Sequence, residues 1–242
     1  MTAARKTTTD ALFDGALVVE QPTSGYRFNV DALWLGAFAA GHRRLGHLLD
    51  LGAGAGAVTL IAHHFAGVVR ATLVEKDPML ARLCSANLAR ASIDAQVITA
   101  DVSRARIDGD FDLIVSNPPF FEPNERRAAR SDREPGRCGA LEPFVRTAAL
   151  AIASSRVRAA FVYPAGNLVR LLSLCGAHGL TPKRLCFVHA FASEPARIAL
   201  VEVRRAKAGG LVVEAPLVEW EGRGRPSPEL SAVRAGRAIG RK

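Results

Sequence analysis

HLLDLGAGAGAVTLIAHHF, residues 47–65, runs from a short apolar strand through a glycine-rich turn into a segment with helical spacing. The same succession continues downstream. RATLVE (70–75) reads as a second strand, followed by PMLARLCSANLARA (78–91), whose Pro78 suits the first turn of a helix. AQVITA (95–100) and FDLIVS (111–116) are two further strands. LEPFVRTAALAIAS (141–154) is a helix, RAAFVYP (158–164) a fifth strand, and NLVRLLSLCGAHG (167–179) a helix closed by Gly179. Such alternation predicts an α/β fold of the Rossmann-like, doubly wound type: a mostly parallel sheet with helices on both faces. Ligands in that architecture bind beyond the carboxyl ends of the central strands, where strand order reverses. The remaining apolar runs, KRLCFVHAFA (183–192), RIALVEVRR (197–205) and LVVEAPLVEW (211–220), come without a full helix after the first. They predict an antiparallel C-terminal hairpin on the sheet edge. The expected organisation is a polar, disordered lead-in (1–23), one domain (24–220), and an Arg/Gly/Pro-rich tail (221–242) that is loose or ordered only on binding.

With 242 residues, 49% of them hydrophobic, the chain can bury the core of one α/β domain. Cys84, Cys138, Cys175 and Cys186 are widely spaced and form no CxxC pair, so neither a zinc site nor a disulfide framework is indicated. No run of eighteen apolar residues exists to span a membrane. The start, MTAARKTTTD, lacks the apolar core of a signal peptide, and a cytoplasmic location is expected. Thirty-two Lys+Arg against twenty-three Asp+Glu gives +9 and a pI near 10.1. That excess favours a polyanionic partner, although an Ala- and Arg-rich composition also follows from base composition alone.

Three acids sit at successive strand ends. Asp50 heads Gly52-Ala-Gly54-Ala-Gly56, Glu75 ends the second strand, and Asp101 follows the third. Glycines are needed where the backbone turns sharply and where a ligand must lie against it. Alone, the turn could equally serve a dinucleotide or no ligand. Glu75, nineteen residues after Gly56, can accept both hydroxyls of an adenosine ribose, and Asp101 can accept from an adenine amino group. Together they describe an adenosine pocket. Asp50 departs from the dehydrogenase pattern and suits a ligand with a positively charged amino acid moiety better than a pyrophosphate.

After the fourth strand stands Asn117-Pro118-Pro119-Phe120. An Asn-Pro-Pro can be a simple turn. At this strand end, however, the Asn117 amide oxygen and the Pro118 carbonyl are two acceptors able to hold both hydrogens of a planar NH2. Pro119 stiffens that carbonyl, Phe120 offers a stacking face, and Asn117 borders the cofactor side as well.

This series resembles the class I S-adenosylmethionine-dependent amino-methyltransferases, which include N6-adenine, N4-cytosine and N5-glutamine enzymes. The segment SGYRFNVDALWLGAF (24–38) resembles more closely the bacterial adenine-N6 methyltransferases that modify a valine tRNA beside its anticodon. The resemblance implies S-adenosylmethionine as cofactor, no metal, and RNA (tRNA above all) as partner. It also implies that the upstream segment covers the methionine end of the cofactor, with Asp31 and Tyr26 or Phe28 as contacts. Read without it, Asp31 is a helix N-cap for ALWLGAFAA. The resemblance spans roughly 12–205, firmest over 24–121. The chain departs from the tRNA enzymes at Phe120, where Tyr is commoner, and in its C-terminal segment.

Five arginines (Arg126, Arg127, Arg130, Arg133, Arg137) follow the motif within EPNERRAARSDREPGR (122–137). They are candidate phosphate contacts, or else a solvated loop shared with Glu122, Glu125, Asp132 and Glu134. His63, His64 and His189 lack partners at catalytic spacing. The rival readings are an N5-glutamine protein methyltransferase, a non-catalytic cofactor- or RNA-binding protein, and a nucleotide dehydrogenase. The first commonly carries an extra N-terminal helical domain, and the last has no use for Asn-Pro-Pro-Phe.

Overall fold

A computed structural model of the chain describes residues 6–25, 27–41, 44–120 and 141–238. The residues expected to form a disordered lead-in instead begin with a hairpin, β1 (Thr7–Leu12) and β2 (Leu17–Pro22). Its turn places Phe13, Leu17 and Val19 in the core, and that burial outweighs the polarity of the outward-facing threonines. Next comes α1 (Val30–Ala40), apolar on nearly every side and buried. The predicted alternation follows: β3 (His47–Leu51), α2 (Ala57–Ala66), β4 (Arg70–Glu75), α3 (Pro78–Arg90), β5 (Asp94–Thr99) and β6 (Leu113–Ser116). From residue 141 onward come α4 (Glu142–Ala151), β7 (Arg158–Pro164) and, past a short 3-10 turn, α5 (Leu168–Ala177).

The chain ends on β8 (Thr181–Phe191), β9 (Ala196–Arg204), β10 (Val212–Val213), β11 (Leu217–Gly222), β12 (Arg225–Pro226) and α6 (Pro228–Arg234). The main sheet has the order β12-β11-β8-β9-β7-β6-β3-β4-β5, with β10 also on β8. Strands β7, β6, β3, β4 and β5 are mutually parallel, and order reverses between β3 and β6. The expected antiparallel hairpin is β8–β9, but β9 inserts between β7 and β8. The run 211–220 is not one strand: Pro216 divides it into β10 and β11, both parallel to β8. A parallel neighbour requires a return crossing, and here β9 supplies it in place of a helix.

Two apolar cores line the faces. Leu48 points to the one built with α1, α2, α3 and α6; Leu49 and Leu51 point to the one built with α4 and α5. The segment expected to be a loose tail is ordered through residue 238. Ser227 caps α6 by accepting from Leu230 N at 3.0 Å, and Leu230 and Val233 are fully buried.

Two polar devices brace this frame. Asn87 of α3 accepts from Glu20 N (2.9 Å) and donates to Glu20 O (2.8 Å) and to Ala55 O (2.9 Å), joining the hairpin to the glycine turn. At the other end of the sheet, Glu202 of β9 is buried among three guanidiniums. Arg184 Nη1 lies 2.9 Å and Arg158 Nη1 3.5 Å from its Oε2, and Arg204 Nη2 2.8 Å from its Oε1.

Candidate active site

The turn after β3 is closed by Gly52, Gly54 and Gly56 at φ 76, 58 and 84. Positive φ alone disfavours a side chain, and space is tight at two of these positions. A Cβ on Gly52 would lie 2.9 Å from the Phe144 ring, and one on Gly56 3.0 Å from Cys84 Sγ. At both positions a neighbouring side chain of the fold presses on the turn. Gly52 N and Ala53 N donate to Val74 O, pinning the turn to β4.

Glu75 clamps the same turn. Its Oε2 accepts from Gly54 N and its Oε1 from Asp77 N, both at 2.8 Å. Asp50, 1% exposed, accepts from Thr59 Oγ1 at 2.8 Å. Burial pushes the Asp50 carboxyl up to about 7, and the nearby Glu75 charge adds to that rise. Burial likewise raises Glu75, against the pull of the Asp77 and Gly54 amides. Among the described residues neither acid has a Lys or Arg within ion-pair distance. Two buried carboxylates without a cation suit a ligand that brings its own positive charge.

Asp101 stands just past β5 and is exposed. Ser103 N and Oγ donate to its Oδ1 at 2.9 and 2.5 Å, and the Ser103 hydrogen bonds hold its carboxyl below the ordinary range. Asn117-Pro118-Pro119-Phe120 follows β6 directly. Ser116 Oγ donates to Leu51 O at 2.8 Å, fastening this strand end to the one that launches the glycine turn. Pro118 is buried, whereas Asn117 and Phe120 are half-buried. Phe120 meets Tyr163, near the end of β7, edge to face at 6.0 Å. Tyr163 was not singled out from sequence; its signal is an aromatic residue near a strand's carboxyl end.

Asp31 does not take the capping position that the sequence offers. The N-cap of α1 is Asn29, whose side chain accepts from Asp31 N at 3.0 Å. An acid two residues further on lies inside the first turn and cannot cap it. Both Asp31 oxygens are taken by protein: Asn29 Nδ2 donates to Oδ2 at 2.9 Å and Arg197 Nη1 to Oδ1 at 2.6 Å. Arg197 Nη2 reaches Glu219 Oε1, also at 2.6 Å, which in turn accepts from Trp34 Nε1 at 3.0 Å. Phe28 packs on the core, and its N donates to Gln21 Oε1 at 3.0 Å. Tyr26, Cys138 and the arginines at 126–137 lie outside the described residues. His63, His64 and His189 bond the carbonyls of Val68, Gly236 and Glu194, and Cys84, Cys175 and Cys186 are buried thiols.

A family model, the methyltransferase small domain, matches residues 32–132. The tRNA1(Val) (adenine(37)-N6)-methyltransferase of Porphyromonas gingivalis is 30% identical over 197 residues, covering 74% of this chain and 75% of that protein. The chain belongs to this class I methyltransferase family. A Flavobacteriaceae protein of the same name is 25% identical over 181 residues, 69% of this chain and 78% of its own length. Ribosomal RNA small subunit methyltransferase C of Haemophilus ducreyi is 36% identical over 90 residues, 37% of this methyltransferase and 27% of that protein. Among solved structures, a predicted O-methyltransferase from Agrobacterium tumefaciens superposes with a TM-score of 0.66 at 23% identity, over 87% of this chain and 98% of that one. It shares the fold. The cofactor of this methyltransferase is S-adenosylmethionine, and the glycine cradle with its cation-free buried acids fits that cationic molecule. No helix among the described residues is long and apolar enough to cross a membrane.

Proposed function

We propose that the methyltransferase modifies N6 of an adenine in tRNA. The observation that carries this reading is Asn117-Pro118-Pro119-Phe120 at the end of β6, tied by Ser116 to the strand that launches the glycine turn. Gly52, Gly54, Gly56, Asp50, Glu75 and Asp101 hold the cofactor. Asp31, which also accepts from Asn29 and Arg197 at the start of α1, is the contact at the methionine end of the cofactor. S-adenosylmethionine, when bound, supplies an electrophilic methyl on a sulfonium. The Asn117 amide oxygen and the Pro118 carbonyl accept from the two N–H bonds of the amine and turn its lone pair out of conjugation with the ring. Phe120 stacks on the base. No strong base is required, because the nitrogen becomes acidic only as its new bond forms. The name of the Porphyromonas relative supports tRNA, and that of the Haemophilus relative favours ribosomal RNA as the second reading.

Nucleoside mass spectrometry of RNA from cells lacking the gene tests this. N6-methyladenosine should fall in the tRNA fraction and return with the wild-type gene. A methylated nucleoside lost from ribosomal RNA instead would establish the second reading, and no loss from either would remove RNA as the substrate.

Asp50 adds a pH dependence. A carboxyl raised to about 7 in the folded protein stabilises the cofactor-free fold below the ordinary carboxylate range and loses that contribution as pH rises through about 7. A cationic ligand beside it favours the ionised form, so binding should release a proton. Cofactor affinity should therefore increase from about pH 6 to about pH 7.5, and Asp50→Asn should flatten the rise. Calorimetry in buffers of different ionisation enthalpy measures the proton directly; equal heats in all of them would exclude the linkage.

A further inference from the structure

The sheet divides the rim above the site into two halves. The glycine turn, Glu75 and Asp101 occupy the ends of β3, β4 and β5, on one side of Asn117. A bound cofactor covers that half. A large substrate delivering a base to Asn117 must therefore cross the other half, over β7, β9, β8 and β11.

At the far end of that half is the turn Glu221-Gly222-Arg223-Gly224-Arg225 between β11 and β12. β7 and β8 are each antiparallel to β9, and β11 is parallel to β8, so β11 ends on the same rim as β6. Gly224, at φ 72, closes the two-residue connection and leaves Arg223 at its tip. Arg223 is exposed and has no acid within ion-pair distance among the described residues. Among the described residues Arg225 pairs with Glu221 alone, at 3.3 Å, with side chains 71% and 46% exposed, a pairing that water screens heavily. Arg158, Arg184 and Arg204, by contrast, are engaged by Glu202, and Arg197 by Asp31 and Glu219.

We propose that Arg223 and Arg225 form a phosphate-binding anchor for the RNA, remote from the methylated base. This rests on the RNA reading of the site above and adds to it the side from which the polynucleotide approaches. The turn lies four strand spacings from β6, roughly 19 Å along the rim. A nucleotide-sized substrate cannot bridge that span, whereas a polynucleotide carries a phosphate at every residue and can. The anchor meets phosphates several nucleotides from the target. A protein partner fits less well, because the turn carries no apolar side chain to form the dry centre of an interface.

The probe is total tRNA from cells lacking the gene, with retention by the full-length protein measured across a salt series. Arg223→Glu with Arg225→Glu should weaken tRNA binding about tenfold or more. It should also lower the slope of log affinity on log salt by about one to two. S-adenosylmethionine affinity should stay as in wild type, reporting an intact fold. Arg223→Lys with Arg225→Lys keeps the charge and should keep the affinity. Unchanged affinity and slope in the glutamate variant, with wild type binding tRNA, would overturn the anchor alone. So would an equal loss in the lysine variant. If wild type itself retains no tRNA, the RNA reading and the anchor fall together.

Discussion

Replacing Asn117 with alanine should lower the methylation rate by about a hundredfold or more while leaving S-adenosylmethionine affinity nearly intact. The two effects separate because the groups proposed to hold the cofactor are elsewhere: the glycine turn at β3, Glu75 at β4 and Asp101 at β5. Asn117 is half-buried at the end of β6, so its truncation removes no core packing. What is lost is an acceptor that aligns the amine as its bond forms, an interaction stronger in the transition state than in the bound substrate. Single-turnover methylation of tRNA, with cofactor binding measured separately by calorimetry, provides the readout. An alanine variant that methylates at the normal rate would reduce the motif to a turn.

Glu202→Ala should be the most damaging single change to stability, costing about 3–5 kcal/mol. Arg158 and Arg184, with side chains 15% and 13% exposed, would remain largely buried around an absent charge. Losses of that size are a large share of the roughly 5–15 kcal/mol that holds a domain folded. Burial pushes the Glu202 carboxyl up, but the Arg204 hydrogen bonds and the charges of Arg158, Arg184 and Arg204 outweigh it, and the net shift is downward. A depressed carboxyl contributes its full stability above the ordinary carboxylate range, about 4.3, and loses it as pH falls through the lower folded value. Urea unfolding at neutral and acid pH checks both signs. The penalty of Glu202→Ala should shrink in acid, and a constant penalty would mean that packing, not charge, is what the residue supplies.

The parallel half of the sheet was legible because its signals are local. Strand 47–51, the glycine turn and Asn117-Pro118-Pro119-Phe120 each declare themselves within about ten residues, and all three stand at the strand ends expected of them. The chain's two ends were misread although they carried signals of the same kind. Asp14-Gly15 between apolar runs marks a hairpin turn, and Ser227-Pro228 ahead of Leu230 and Val233 marks a capped helix with an apolar stripe. Other features had no local signal. Nothing near Asp31 announces Arg197, and nothing near Phe120 announces Tyr163, because those pairings exist only once β9 and β7 take their places in the sheet. The insertion of β9 between β7 and β8 is likewise a property of the sheet order, not of either segment.

The bond from Trp34 Nε1 to Glu219 Oε1 joins residues 185 positions apart, and Arg197 donates to the same Glu219 oxygen. During synthesis the first helix of the domain emerges long before either partner. Until position 219 has left the ribosome, the indole N–H and the Arg197 guanidinium have no buried acceptor to share. The helix that shapes one side of the candidate site thus waits on nearly the last strand. A chain stopped before β11 would keep the glycine turn and the Asn-Pro-Pro-Phe motif in sequence but lack the wedge that seats α1 beside them.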